Sequence, residues 1–454
     1  MKRLIIGNLS QWFHSKRRKP LILRGARQVG KSTAIRLFAK EAQLDLIEIN
    51  FEKDFIRPAK EGIKVKQFIQ DIEISTQKKI TEKSLLFFDE IQACPEAINY
   101  LRYFYEEYPQ MAVIAAGSLL EFVLNSQQFS MPVGRIQYLY LGPMTFSEFL
   151  IACDQTQLVD WLENLKNINE LTETIHHKLL GHFKDYLIVG GMPEAVKTFV
   201  ETQSYLSAKD VHKEIISTYR DDFAKYSSKN EIPRIKKVFE KMPHLLGKKI
   251  KYSEIDVDER SLNLKSCLQL LTYARILRPC YHSNAKEISL AADADESITK
   301  YFFLDVGLLS SILNIAWQNF KFDVESPIKG LFLEQFVAQH LGNNLSTDQK
   351  IYYWLRDKTK NNAEVDFIIE DNSKFYPIEV KTNRINKLTS LMCFLQDHSQ
   401  IKRSINLHLQ EKLDENNLGP KKIDRMLFDK KITGEILQLP VYFTEYLFKL
   451  LPRD

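Results

Sequence analysis

Residues 21–41 read Leu-Ile-Leu-Arg-Gly-Ala-Arg-Gln-Val-Gly-Lys-Ser-Thr-Ala-Ile-Arg-Leu-Phe-Ala-Lys-Glu. A short apolar run, Leu21–Leu23, leads into Gly25 to Ser32, which fits G-x-x-x-x-G-K-[ST], and a helical pattern follows from Thr33 to Glu41. Strand, glycine loop and helix in that order build a phosphate cradle. Gly25 and Gly30 let the backbone pass close enough to aim N–H groups at phosphate oxygens, and the helix start adds its positive end. Lys31 brings a point charge, and the Ser32 hydroxyl a ligand for Mg²⁺. The expected nucleotide-binding set is Gly25, Ala26, Arg27, Gln28, Val29, Gly30, Lys31, Ser32 and Thr33, with ATP and Mg²⁺ as cofactors.

Working outward, Leu85-Leu-Phe-Phe-Asp89-Glu90 is an apolar run ending in two acids. A buried parallel strand delivers such carboxylates at its C-terminal edge, where ligands of open α/β sheets sit. Asp89 is expected to hold Mg²⁺ through water, and Glu90 to polarise an attacking water. An acidic strand end is common by chance; beside the glycine loop it gains meaning. Further short apolar runs at Leu46–Asn50, Val113–Ala116 and Tyr138–Leu141, separated by helical patterns, predict a parallel α/β domain.

The stretches G-A-R-Q-V-G-K-S, F-F-D-E-I-Q, A-A-G-S and P-V-G-R-I-Q-Y-L-Y-L-G-P-M-T-F-S-E-F, all between Leu23 and Leu150, resemble a widespread prokaryotic family of AAA-type ATPases that carry a C-terminal domain of unknown function. The resemblance implies a P-loop AAA+ domain that hydrolyses ATP. It also implies that Ser118, after the strand Val113–Ala116, senses the γ-phosphate. Arg135 lies where an arginine finger is offered to a second copy of the chain, which makes a homo-oligomer the implied assembly. A loop-capping serine and a surface arginine are the plainer readings. Gly190-Gly-Met-Pro193 is similar to the family's G-G-x-P element, which by analogy puts Pro193 in a lid.

Beyond this domain, taken as residues 1–205, the pattern turns helical and resembles a winged-helix domain over 206–322. Ile235–Leu246 is cut by Pro243; a second helix spans Ser261–Ala274, and Ile276–Tyr281 is a wing strand. Lys248, Lys249 and Lys251 suit phosphate contacts, and Asn263, Lys265 and Gln269 suit a groove, whereas Asp256, Asp258 and Glu259 at the approach repel phosphates. DNA binding, protein binding and control of the ATPase all stay open. Residues 323–454 hold an amphipathic helix, Ile328–Leu341, and strands at Ile351–Leu355, Val365–Ile369 and Phe375–Val380. Glu334, Asp366 and Glu379-Val-Lys381 resemble the E…D…E-x-K core of PD-(D/E)xK nucleases, with Val365 where proline is usual. In such a site Glu334, Asp366 and Glu379 hold Mg²⁺, and Lys381 orients water or stabilises the phosphate in flight. DNA is the implied partner; a regulatory switch, or a clamp with an inactive nuclease-like fold, is the alternative. The last fifty residues mix helix and strand signals and are assigned to neither.

Composition fits these assignments. With 454 residues, 44% hydrophobic and 27% charged, the chain can bury about three domains and is no disordered tail. The net charge of +5 is too small to announce a nucleic-acid partner, but residues 1–60 carry 14 Lys/Arg against 5 Asp/Glu. Arg24, Arg27, Lys31 and Arg36 surround or follow the loop, so part of that excess serves a nucleotide. Five scattered cysteines without a C-x-x-C pair suggest reduced, mostly buried thiols and a cytoplasmic location. No run of about 18 apolar residues appears, so no membrane partner is expected. The His176-His177 pair shows no metal spacing and is expected to be solvated.

Overall fold

A computed structural model describes residues 1–58, 65–125, 134–286, 289–318, 327–344, 350–356, 362–382, 388–427 and 430–451. The chain forms two compact units, Met1–Pro143 with Gln269–Ile276, and Met144–Leu268 with Leu277–Asp454.

The first unit holds a five-stranded sheet. Its strands are β1 (Leu21–Arg24), β2 (Asp45–Asn50), β3 (Ser84–Asp89), β4 (Ala112–Ala116) and β5 (Gln137–Tyr140), in the order β2-β3-β4-β1-β5 and all parallel. All five expected strands are present, each within a residue of its predicted ends. All six residues of β3 are buried, as a central parallel strand with both faces covered requires. Helix Pro95–Glu107 starts on Pro95, whose missing N–H costs nothing in a first turn. Tyr100, Leu101 and Phe104 of that helix pack with Phe68 and Phe88 in the core.

The second unit opens with helices, among them Phe146–Ala152, Glu173–Val189, Pro193–Thr202, Tyr205–Tyr226 and Ile232–Lys241. The last stops two residues before Pro243, and a single 3₁₀ turn, Met242–His244, carries the chain on. After helices Tyr252–Ile255 and Ser261–Tyr273 comes β6 (Leu277–Ser283), overlapping the strand expected at Ile276–Tyr281, and then β7 (Ala294–Phe303), its antiparallel partner in a stretch otherwise expected to be mostly helical. Next follow helix Pro327–Asn344, β8 (Ile351–Arg356), β9 (Ala363–Asp371), β10 (Lys374–Lys381), helix Thr389–Asp397 and β11 (Arg403–His408). Strands β12 (Gly419–Leu427) and β13 (Lys430–Pro440) complete an eight-stranded mixed sheet, β12-β13-β11-β10-β9-β8-β6-β7. The hairpin β6–β7 therefore shares one sheet with the third region, because β6 pairs in parallel with β8. The boundary expected at 322/323 lies outside the described residues.

The last fifty residues contribute β12 at the sheet edge, with β13 and most of β11 inside it. In β12 only Gly419 and Ile423 are buried, so no alternating pattern marks it as a strand. All five cysteines are free thiols, four of them buried.

One expectation is corrected. His176 is fully buried, its Nδ1 2.7 Å from the Tyr442 hydroxyl, while only His177 is exposed. Adjacent helical residues point about 100° apart, and His176 falls on the inward stripe with Leu179, Leu180 and Phe183.

His340 is equally buried. Its Nε2 accepts the Phe146 N–H (2.9 Å) and its Nδ1–H donates to the Phe336 carbonyl (2.9 Å), which fixes the neutral tautomer. Burial, with Arg278 nearby, pushes it down to about 4. Protonation would aim an N–H at Phe146, the first residue of a helix, whose N-terminus already carries positive character. Because the folded value lies below the unfolded one, this stabilisation is present above pH 6.5 and is lost as pH falls toward 4, by about 2 kcal/mol at pH 5. A His340→Gln protein should lose less stability than wild type between pH 7 and pH 5 in urea titrations; equal losses would refute the assignment.

Candidate functional site

Gly25 (φ 155°) passes so close to Leu141 that a Cβ would sit 2.2 Å from its carbonyl oxygen, and Gly30 is left-handed at φ 90°. A side chain at Gly25 would push the loop off the sheet. Lys31 is buried and donates to the carbonyls of Gly25 (3.0 Å) and Ala26 (2.8 Å). Burial lowers its pKa to about 8, against the opposing pull of Glu90 and Asp89. The Ser32 hydroxyl lies 3.1 Å from both Asp89 oxygens, and burial together with the Glu90 charge raises the Asp89 carboxyl.

Glu90 sits in a left-handed turn (φ 49°) where its Oε2 accepts from Gln92 Nε2 (2.6 Å) and lies 3.4 Å from the Ser118 N–H. Because β4 is inserted between β1 and β3, Ser118 at its end falls between the loop and the acids. The fold thus gathers Lys31, Ser32, Asp89, Glu90 and Ser118. Arg135 is not held there by a buried partner: it is 45% exposed and pairs with Glu106 (3.2 Å), which Arg102 also contacts. Pro132 and Val133 of its motif lie outside the described residues.

Two features escaped the sequence. Arg3 is buried and donates to Val29 O (2.6 Å) and Gly142 O (2.8 Å), bracing the loop from behind. A Lys-Arg pair near a chain start gives no signal of such a role. The basic excess also has less to do with nucleotide than expected, since Arg24 is bound by Glu121 and Arg36 by Glu48.

In the second unit the register Phe367 opposite Ile378 brings Asp366 beside Glu379, and Asp366 Oδ2 accepts the Val380 N–H (2.7 Å). Lys381 is ion-paired with Glu379, whose other oxygen is buried without a hydrogen-bond partner. Burial first, then the Asp366 charge, raises both Glu334 and Glu379 well above the usual carboxylate range. The four expected residues therefore come together. A fifth was missed: Lys300 on β7 is 1% exposed, ion-paired with Glu364 and 4.5 Å over the Tyr353 ring. Nothing local marks a lysine whose partners lie two and three strands away, Tyr353 on β8 and Glu364 on β9. Among the described residues, no three His, Cys, Asp or Glu side chains are already placed to hold a metal ion.

Pro193 opens the helix Pro193–Thr202, and the preceding glycines pack on Asp305, which accepts the Gly191 N–H at 2.7 Å. Lys248, Lys249, Lys251, Lys265 and Gln269 are exposed. Asn263 instead donates to Glu259 (2.7 Å). Two of the acids expected to repel phosphates are already paired, Asp256 with Lys237 and Glu259 with Arg234.

Residues 17–150 match a family model described as an AAA domain. Residues 180–319 match a domain of unknown function (DUF8612), and 329–419 another (DUF4143). No curated protein matches the chain. Among solved structures, the Aeropyrum pernix ORC2 protein in ADPNP–ADP complexes is 12% identical, with 69% of this chain and 94% of that chain covered and a TM-score of 0.37. The A. pernix ORC1 protein in complex with DNA is 12% identical, covering 68% and 90%, with a TM-score of 0.30. A RuvB variant of Thermogota maritima is 12% identical, covering 61% and 89%, also at 0.30. The N-terminal part of the chain is an AAA domain on a parallel α/β sheet. No helix among the described residues is long and apolar enough to cross a membrane.

Proposed function

We propose that the chain is an Mg²⁺-dependent ATPase coupled to a winged-helix and nuclease-like module acting on DNA. The observation that carries the ATPase reading is Lys31 buried on the loop carbonyls, with Ser32 and Asp89 facing each other at 3.1 Å and Glu90 beside Ser118. Lys31 exchanges its two carbonyls for phosphate oxygens. It is already out of water, so its charge acts at short range with little screening. Ser32 and Asp89 are the hard oxygen donors that Mg²⁺ takes, and the bound ion offsets phosphate charge. Glu90, oriented by Gln92, accepts a proton from the attacking water. Arg135 acts from a neighbouring copy.

For the second unit, Glu334, Asp366 and Glu379 with Lys381 support the nuclease-like reading. Fully ionised, Glu334, Glu364, Asp366 and Glu379 outnumber Lys300 and Lys381 by two charges, which either two protons or one divalent cation relieves. The orphaned Glu379 oxygen fits a cation ligand. Lys381 and Lys300 nevertheless cover two of the carboxylates, which favours as second reading a DNA clamp that does not cut.

The test is phosphate release from ATP with Mg²⁺ or with excess chelator, with and without duplex DNA, from about 50 to 200 mM salt. Hydrolysis is expected only with Mg²⁺, with a DNA stimulation that fades as salt rises. Absence of hydrolysis sinks the ATPase, and hydrolysis indifferent to DNA at every salt points to a switch that works on protein.

A further inference from the structure

Helix Ser261–Tyr273 closes in a Schellman motif, in which the Ile276 N–H donates to the Leu271 carbonyl (3.0 Å) and the Arg275 N–H to the Thr272 carbonyl (2.9 Å). The turn places residue 275 in the left-handed region, at φ 61°, where glycine is the usual occupant because it has no Cβ to resist. Arginine stands there instead. Backbone strain of this kind persists where the side chain has a task, and Arg275 is the sole charged residue of the segment Gln269–Ile276.

That side chain reaches a buried carboxylate. Arg275 Nη2 donates to Glu121 Oε1 (3.0 Å), and its guanidinium lies 5.4 Å from the centroid of the Tyr140 ring. Arg24 grips both oxygens of the same carboxylate through Nε and Nη2, and lies 5.2 Å from the centroid of Tyr138. Tyr138 and Tyr140, two apart on β5, share one face of the strand. Phe122 adds an edge-on ring contact to Tyr273 at 5.9 Å. Glu121 is 6% exposed, so both arginines act on it with little screening.

The position of the cluster gives it meaning. Arg24 immediately precedes Gly25 of the phosphate loop, and Glu121, in the first turn of helix Leu120–Asn125, follows Ser118 by three residues. The carboxylate therefore ties the root of the loop to the helix behind Ser118. The segment that supplies Arg275 belongs to the first unit, although the chain on both sides of it belongs to the second. We infer that Arg275 is a positioning residue of the nucleotide site: acting through Glu121, it sets Ser118 against the phosphate loop and so fixes the preference for a nucleotide that carries a γ-phosphate. This rests on the part of the reading proposed above that puts Ser118 at the γ-phosphate.

The experiment uses the full chain with Mg²⁺ and titrates a non-hydrolysable ATP analogue and ADP, beside phosphate release from ATP. Arg275→Gly is expected to move the ratio of the two affinities toward ADP by at least about fivefold, the lower end of ordinary coupling between sites. ADP affinity should hold, and turnover should fall about tenfold to a hundredfold, as a misplaced group near the reacting atoms costs. Glycine suits φ 61°, so the helix cap survives and the thermal midpoint should stay in place. If it falls, Arg275→Met keeps the length of the side chain, deletes the charge and takes the place of glycine in the comparison. An unmoved ratio overturns the inference, and so do equal losses for both nucleotides, which mark a merely structural residue. In a Ser118→Ala background Arg275→Gly should add nothing to the ratio, because the two act in one chain; a full further shift there overturns action through Ser118. The ratio is a binding measurement, so it judges Arg275 even if wild type fails to hydrolyse ATP and the ATPase reading falls. Wild-type turnover with an unmoved ratio removes the inference alone.

Discussion

A Glu90→Gln protein is expected to bind ATP as tightly as wild type while turning it over at least about a hundredfold more slowly, the usual share of a general base. The substitution removes only the proton acceptor. Its side chain keeps the length and shape to meet Gln92 and the Ser118 N–H, so the left-handed turn at position 90 need not move. Lys31→Ala should behave differently and lose affinity as well. Without the ammonium, the carbonyls of Gly25 and Ala26 that it now satisfies face the phosphates directly and repel them. Loss of one such charge in a dry site costs about a hundredfold to a thousandfold in rate. Nucleotide titration and phosphate release, measured on both proteins, separate binding from chemistry. Wild-type turnover in either one removes the ATPase assignment at its root.

The contrast between what the sequence revealed and what it hid follows from distance along the chain. The loop from Gly25 to Ser32 was legible because its glycines, lysine and serine act through one continuous backbone. Asp89 and Glu90 were legible because an apolar strand ending in acids states its own direction. Arg3 was not, since its partners Val29 and Gly142 become neighbours only after the sheet has formed. Lys300 escaped for the same reason, reaching Glu364 across a sheet whose strand order no local pattern contains. The fates of Arg24 and Arg36 show the converse error. Basic residues near a phosphate loop look like phosphate ligands until tertiary partners, here Glu121 and Glu48, claim them.

In the second unit, Mg²⁺-dependent cleavage of DNA is expected from wild type, with Asp366→Asn lowering it by about a hundredfold to a thousandfold. Asparagine still offers a carbonyl oxygen to the Val380 N–H, so the β9–β10 pairing survives and the loss reports charge alone. Lys381→Ala is the sharper probe, because it opposes two effects. It frees the Glu379 oxygen that Lys381 now covers, which should tighten divalent-cation binding, yet it deletes the cation that would face the phosphate. A nuclease therefore predicts that Lys381→Ala binds Mn²⁺ more tightly and cuts less. A clamp predicts no cutting by wild type under any metal, and DNA affinity that Asp366→Asn leaves unchanged. Lys300→Met adds an independent arm: it strips the cation from Glu364, so it too should tighten Mn²⁺ binding if these carboxylates share one ion. If neither lysine variant changes Mn²⁺ affinity, the carboxylates act separately. The cluster is then an ion-pair core whose acids and lysines neutralise one another, and the E…D…E-x-K pattern is a matter of fold without chemistry.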